Sequence, residues 1–205
     1  MNRLLFCLLL VTTEAVAQPY VFVFLNKKPD KAVLAKEEED KLMEGHMNNI
    51  KRLAQEGKLL IAGPFEGGGG IFVFNSGSVT EVSGWVESDP AVKAKRWDLE
   101  IFPFEVVRGG LCKANEPIEM TMYSFVRFDP VAGITADHQS HLAFMGALQS
   151  EVLVAGKLGS KGSSLMVVKG KLEESDIEAD PAIKSKSLTS VLKSLYIARG
   201  SFCEK

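Results

Sequence analysis

The chain has 205 residues, 46% hydrophobic and 24% charged, with a formal net charge of −2. This is an ordinary globular composition, and so small a net charge gives no basis for nucleic acid or an anionic membrane as partner. The acidic run Glu37-Glu38-Glu39-Asp40 sits where a helix should begin, and the helix macrodipole accounts for it.

The first residues read as an export signal. Arg3 supplies a positive start, Leu4 to Val11 an apolar run, and Ala15-Val16-Ala17 an A-x-A cleavage pattern. The apolar run is too short to cross a bilayer, which takes about 20 residues. Residues 1–17 are therefore expected to be removed, leaving a secreted or periplasmic protein with no membrane contact after cleavage. Cys7 leaves with the signal. Cys112 and Cys203 remain, either as a disulfide or as two buried thiols, and the sequence leaves that choice open.

Residues 18–112 read as a first domain. Tyr20 to Leu25 is β-branched and aromatic, a buried strand. Leu42, Met43, Met47, Ile50 and Leu53 recur at helical spacing from Glu38 to Glu56, and Gly57 is a natural stop. Strands are expected at Lys58 to Ala62 and Gly70 to Asn75, a helix at Val79 to Glu87, and a last strand at Leu99 to Val107. The order β-α-β-β-α-β is the split βαβ, ferredoxin-like unit. The run Gly67 to Gly70 lacks the Lys-Ser/Thr ending of a phosphate loop and reads as a hairpin connection, with a mobile flap the lesser reading.

Residues 113–118 form a short linker to a second domain, 119–205. Its strands fall near Met120 to Phe128, Val152 to Ala155, Ser164 to Lys169 and Thr189 to Ala198. Its helices fall near Ala136 to Gln149 and Glu173 to Ala179. The two halves also match letter by letter. Asp89 to Cys112 and Asp180 to Cys203 share eight of 24 positions without a gap, where average usage gives about one or two. His46 aligns with His141, Leu60-Ile61-Ala62-Gly63 with Leu153-Val154-Ala155-Gly156, and Ile71 with Leu165. The expected fold is therefore α+β, a duplicated ferredoxin-like unit. Strands this apolar leave neither sheet face suited to water, so two sheets packed face to face, an intrachain pseudo-dimer, are expected.

His46 on the first helix, Ala62-Gly63-Pro64 ending the second strand and Asp89-Pro90 before the last strand resemble the YCII-related (YciI-like) family. The resemblance covers Tyr20 to Arg108 and returns more faintly from Met120 to Arg199. It implies a dimeric α+β barrel of ferredoxin-like units. It also implies a helix histidine and an aspartate working as an acid/base pair, in a family with one dehydrochlorinase acting on a chlorinated hydroxyquinone. The chain departs from that pattern at Lys157, which replaces the counterpart of Pro64. The additional His138, the export signal and the tandem arrangement depart from it too.

His46 shares a helical face with Leu42, Ile50 and Leu53, so its imidazole should face the sheet. There it can move a proton if Asp89 orients it. The structural alternative is a hydrogen-bonded core histidine, and an Asp that caps a helical turn with Pro at its first position. His141 and Asp180 are the secondary candidates. His138 and His141 supply two imidazoles with no third ligand, so no metal is expected; no cofactor fingerprint is present and no cofactor is expected. Arg108 and Arg199 are read as closing the sheet edge, with a grip on an anionic ligand the lesser reading. Two functions follow: an enzyme acting on a small cyclic or aromatic molecule by His/Asp acid-base chemistry of the lyase or isomerase type, or a non-catalytic module that binds a small ligand or a protein.

Overall fold

Alternation along the strands determines the architecture. In β1 (Tyr20–Lys27), Phe22 and Phe24 point one way, while Val21, Val23 and Leu25 point the other. All five are buried, so the strand must be covered on both faces. The computed structural model describes residues 20–114, 116–148 and 151–204; the expected export signal lies outside them.

After β1 come α1 (Lys36–Gln55), β2 (Leu59–Pro64), β3 (Gly70–Phe74), α2 (Val79–Glu87), the one-turn α3 (Pro90–Lys93) and β4 (Trp97–Gly109). The second half repeats this order with β5 (Met120–Pro130), α4 (His138–Ala147), β6 (Val152–Leu158), β7 (Ser163–Lys169), α5 (Glu174–Glu178), α6 (Pro181–Lys184) and β8 (Leu188–Ala198). The expected elements are present. Helix α4 starts at His138, two residues later than expected, because Asp137 caps it by accepting from Ser140 N–H.

The eight strands form one sheet in the order β2-β3-β1-β4-β6-β7-β5-β8. In each half the first strand lies between the third and fourth, antiparallel to both, which is the split βαβ order. Strands β4 and β6 join the halves through a ladder from Phe104↔Leu158 to Gly109↔Val154. At the far edge β2 reaches β8 through the bridge Phe65↔Leu195 and a bond from Glu66 N–H to Ser194 O at 3.0 Å. The result is a nearly closed barrel. The barrel-like form agrees with expectation, while the two sheets expected to face each other are continuous: the edges of β4 and β6 pair directly, so the apolar faces curve around one interior.

Glycine marks both seams. A Cβ on Gly63 would lie 2.7 Å from Tyr196 O of β8, and one on Gly156 would lie 2.4 Å from Glu105 O of β4. The Ala-Gly pair repeated in the two halves thus permits close backbone approach where the halves meet. The barrel interior holds Phe22, Phe24, Ile71, Val73, Phe125, Leu165 and Leu195. Outside it, Leu53, Val82 and Val86 cover the first half, and Met145 and Ile177 cover the second. Each fully buried side chain of this size contributes roughly 1.5–3 kcal/mol before entropy is subtracted.

Cys112 and Cys203 form a disulfide with Cα atoms 5.1 Å apart, tying the end of the first half to the end of the second. Arg108 donates to Met145 O at 3.1 Å and Gly146 O at 2.8 Å, so it caps the end of α4 instead of closing a sheet edge. The glycine run is an ordered turn: Phe65 N–H bonds Gly69 O, and Gly67, Gly68 and Gly69 all have positive φ.

Candidate functional site

His46, Asn49 and Leu53 form the buried stripe of α1. Leu53 enters the core beneath the helix. One and two turns earlier the same stripe meets the start of α3, where Asp89 is the N-cap and Pro90 the first helical residue. His46 Nδ1 lies 2.9 Å from Asp89 Oδ2, and Asn49 donates its amide to the same oxygen at 3.1 Å. Asp89 Oδ1 accepts from Ala91 N–H at 2.9 Å and Val92 N–H at 3.3 Å. One carboxylate therefore caps a helix with one oxygen and orients an imidazole with the other.

Asp89 is completely buried. Burial pushes its carboxyl up, but His46, by hydrogen bond and by charge, and then Asn49 and Ala91 N–H outweigh that and hold it below the usual carboxylate range. An ionised Asp89 takes the proton side of Nδ1, which leaves the lone pair on Nε2. Among the described residues nothing hydrogen-bonds to that nitrogen. The ring is held in place by Trp97, 4.7 Å away between centroids, and by Phe72 at 5.8 Å, stacked at 26°. Trp97 is there because β4 begins directly after α3.

The second half builds the same pair more tightly. His141 Nδ1 lies 2.6 Å from Asp180 Oδ2, and Asp180 Oδ1 accepts from Ala182 N–H at 2.8 Å. Here Nε2 has a partner, Ser164 Oγ at 2.8 Å. Phe128 packs edge-on against the ring. Phe144 stands three residues after His141, where Asn49 stands after His46, so Asp180 has no amide donor of that kind.

Strand register explains the difference at Nε2. Gly70 pairs with Leu25 on one side and Pro64 on the other. Ser164 pairs with Phe128 and Lys157. The two residues occupy the same sheet position, and only the second carries a hydroxyl. A cavity of about 420 Å³ opens beside it, walled by His138, His141, Lys157, Lys161 and Ser164 among others. A second cavity of about 250 Å³ lies on the barrel side, against Phe24, Phe65, Phe125 and Arg127. Arg127 donates to Glu100 at 2.7 Å and stacks over Phe24 at 4.6 Å. Its Nε faces Asp129 Oδ2 at 2.8 Å, without the angle of a hydrogen bond.

All four candidate residues thus fall into two His–Asp pairs. Asn49, Trp97, Ser164 and Arg127 were not singled out in the sequence. The alignment of Ile71 with Leu165 already sets Gly70 opposite Ser164, which is the signal that bears on the second pair. Among the described residues no group of three His, Cys, Asp or Glu side chains is placed to hold a metal ion.

No curated protein matches the chain significantly. Among solved structures, a candidate monooxygenase from Fusobacterium nucleatum subsp. nucleatum is similar, with 12% identity, a TM-score of 0.49, and coverage of 90% of this chain and 94% of that one. The model of the YCII-related domain matches residues 20–105. His46, Asn49, Asp89 and Trp97 all lie within the matched residues.

Proposed function

We propose that His46, oriented by Asp89, moves a proton on a small cyclic or aromatic molecule, in a reaction of the lyase or isomerase type. The observation that carries this is the Nε2 of His46, which has no hydrogen-bond partner among the described residues, next to an Nδ1 held by a buried carboxylate. That nitrogen takes a proton from an activated C–H, and Asp89 stabilises the imidazolium that results. Return of the proton to a neighbouring carbon completes an isomerisation; loss of a leaving group from that carbon completes an elimination. Trp97, half-buried beside the imidazole, adds flat apolar surface suited to a ring.

On this reading the second half is a diverged copy of the first, and the mature protein is a secreted or periplasmic tandem that pairs with itself within one chain. The disulfide suits an oxidising compartment. A second reading, a non-catalytic binding module, draws on the cap role of Asp89 and on the 8% exposure of His46. Deuterium uptake separates the two. Enolisable cyclic ketones and phenols in D2O should exchange ring-adjacent C–H faster with the protein than without it. His46→Gln should slow that exchange by about 10²- to 10⁴-fold. Equal exchange with His46→Gln defeats the catalytic reading.

A further inference from the structure

The second half holds a complete relay where the first holds a pair. Ser164 Oγ is 2.8 Å from His141 Nε2, and His141 Nδ1 is 2.6 Å from Asp180 Oδ2. These are the nucleophile-to-base and base-to-orienter spacings of an activated serine, which is recognised by geometry and not by order in the chain. Each member sits on a regular element: Ser164 in β7, His141 in α4, and Asp180 at the cap of α6, where Ala182 N–H fixes its other oxygen. Packing therefore holds the three in register.

A histidine bonded at both nitrogens can also be plain core. What separates this one is the space beside it. Ser164 and His141 both form part of the wall of the 420 Å³ cavity, together with Lys157, Lys161 and His138, and among the described residues no carboxylate lines it. Lys157 is held only loosely, 3.4 Å from Glu105, and its side chain is 45% exposed. The cavity thus joins the Ser164 hydroxyl to positive charge.

We propose that Ser164, His141 and Asp180 form a nucleophilic triad that hydrolyses small esters bearing an anionic group. Ser164 Oγ attacks the ester carbonyl as its proton passes to His141 Nε2. The bond from acyl carbon to alcohol oxygen then breaks, and the departing alcohol takes the proton from Nε2. Water, deprotonated by the same nitrogen, hydrolyses the acyl-serine, releases the acid and restores the Ser164 hydroxyl. Lys157 and Lys161 draw in the anionic end of the substrate. This proposal stands apart from the chemistry assigned to His46.

A fluorophosphonate probe tests it on the full chain with its disulfide intact. The expected result is one covalent adduct, mapped by peptide mass spectrometry to Ser164. The adduct is absent from Ser164→Ala and forms about a hundredfold or more slowly in His141→Gln. Mono-p-nitrophenyl succinate should be hydrolysed faster than p-nitrophenyl acetate, and Lys157→Ala should remove the preference. An unmodified Ser164 in folded protein, or labelling elsewhere that Ser164→Ala leaves intact, overturns the triad. Equal hydrolysis of the two esters overturns the anionic specificity. Because the adduct is mapped on the unaltered chain, the answer does not depend on any variant folding.

Discussion

The two His–Asp pairs use the same parts in the same places, yet their outer nitrogens differ. His46 and His141 both face an aspartate that caps a one-turn helix begun by proline. His46 ends at Nε2 with no partner among the described residues, whereas His141 continues to Ser164. A single position in the third strand of each half, Gly70 or Ser164, makes the difference. The contrast shows that a buried His–Asp pair is a scaffold feature, and that the neighbouring strand decides what its free nitrogen can do.

The largest expected effect concerns the aspartates. Asp180→Ala removes the cap of α6 and leaves a fully buried imidazole without its partner, a loss of about 3–5 kcal/mol. Asp89→Ala leaves His46 and Asn49, which are nearer the surface, and should cost about 2–3 kcal/mol. Urea unfolding of both variants measures the gap; equal losses would erase the structural distinction between the halves. Next comes the link between them. Cys112 and Cys203 are 91 residues apart in sequence, so Cys203→Ser should cost about 2–4 kcal/mol. Thermal melting with and without reductant checks this, since reductant should lower the wild type to the level of the variant.

Swapping the deciding position sharpens the comparison further. Ser164→Gly strips the hydroxyl from His141 Nε2, at about 1–3 kcal/mol. The reverse change gains nothing. A Cβ on Gly70 would lie 2.5 Å from Gly63 O and 3.2 Å from Pro64 Cα, so Gly70→Ser must shift β2 against β3 and should destabilise as well. A stabilised Gly70→Ser would mean that this edge is softer than its contacts suggest.

The smallest effect is pH-dependent. Asp89 has a lowered pKa in the folded state, so across the acid range the unfolded chain binds more protons at this group. Its contribution is present above the unfolded carboxyl value of about 3.9 and is lost as pH falls through the folded value. Stability measured from pH 2 to 6 should therefore rise with pH more steeply in the wild type than in Asp89→Asn. Parallel curves would show that Asp89 is not held ionised by its neighbours.

Much of this was legible because it is local. YVFVFL can be read as a doubly buried strand, the spacing of Leu42, Ile50 and Leu53 as a helix face, and Asp-Pro as a cap with its first residue. The two pairs could be named because the halves align. The single curved sheet was not legible, since the pairing of Phe104 with Leu158 depends on which edge meets which, and periodicity carries no information about that. Ser164 read as an ordinary strand residue until a histidine from another element was seen above it. Arg127 belongs to the same class: a charge in an apolar strand that makes sense only when Glu100 and the ring of Phe24 are found beside it.

The central claim, that one Nε2 is free and the other bonded, is tested most directly by ring ¹⁵N NMR in alkaline solution, where imidazole is neutral. Both rings should report a proton on Nδ1. Nε2 of His46 should resonate as a free acceptor and that of His141 as a hydrogen-bonded one, and Ser164→Gly should move the second to the position of the first. Coincident Nε2 frequencies in the wild type, or a His141 signal unmoved by Ser164→Gly, would contradict the account.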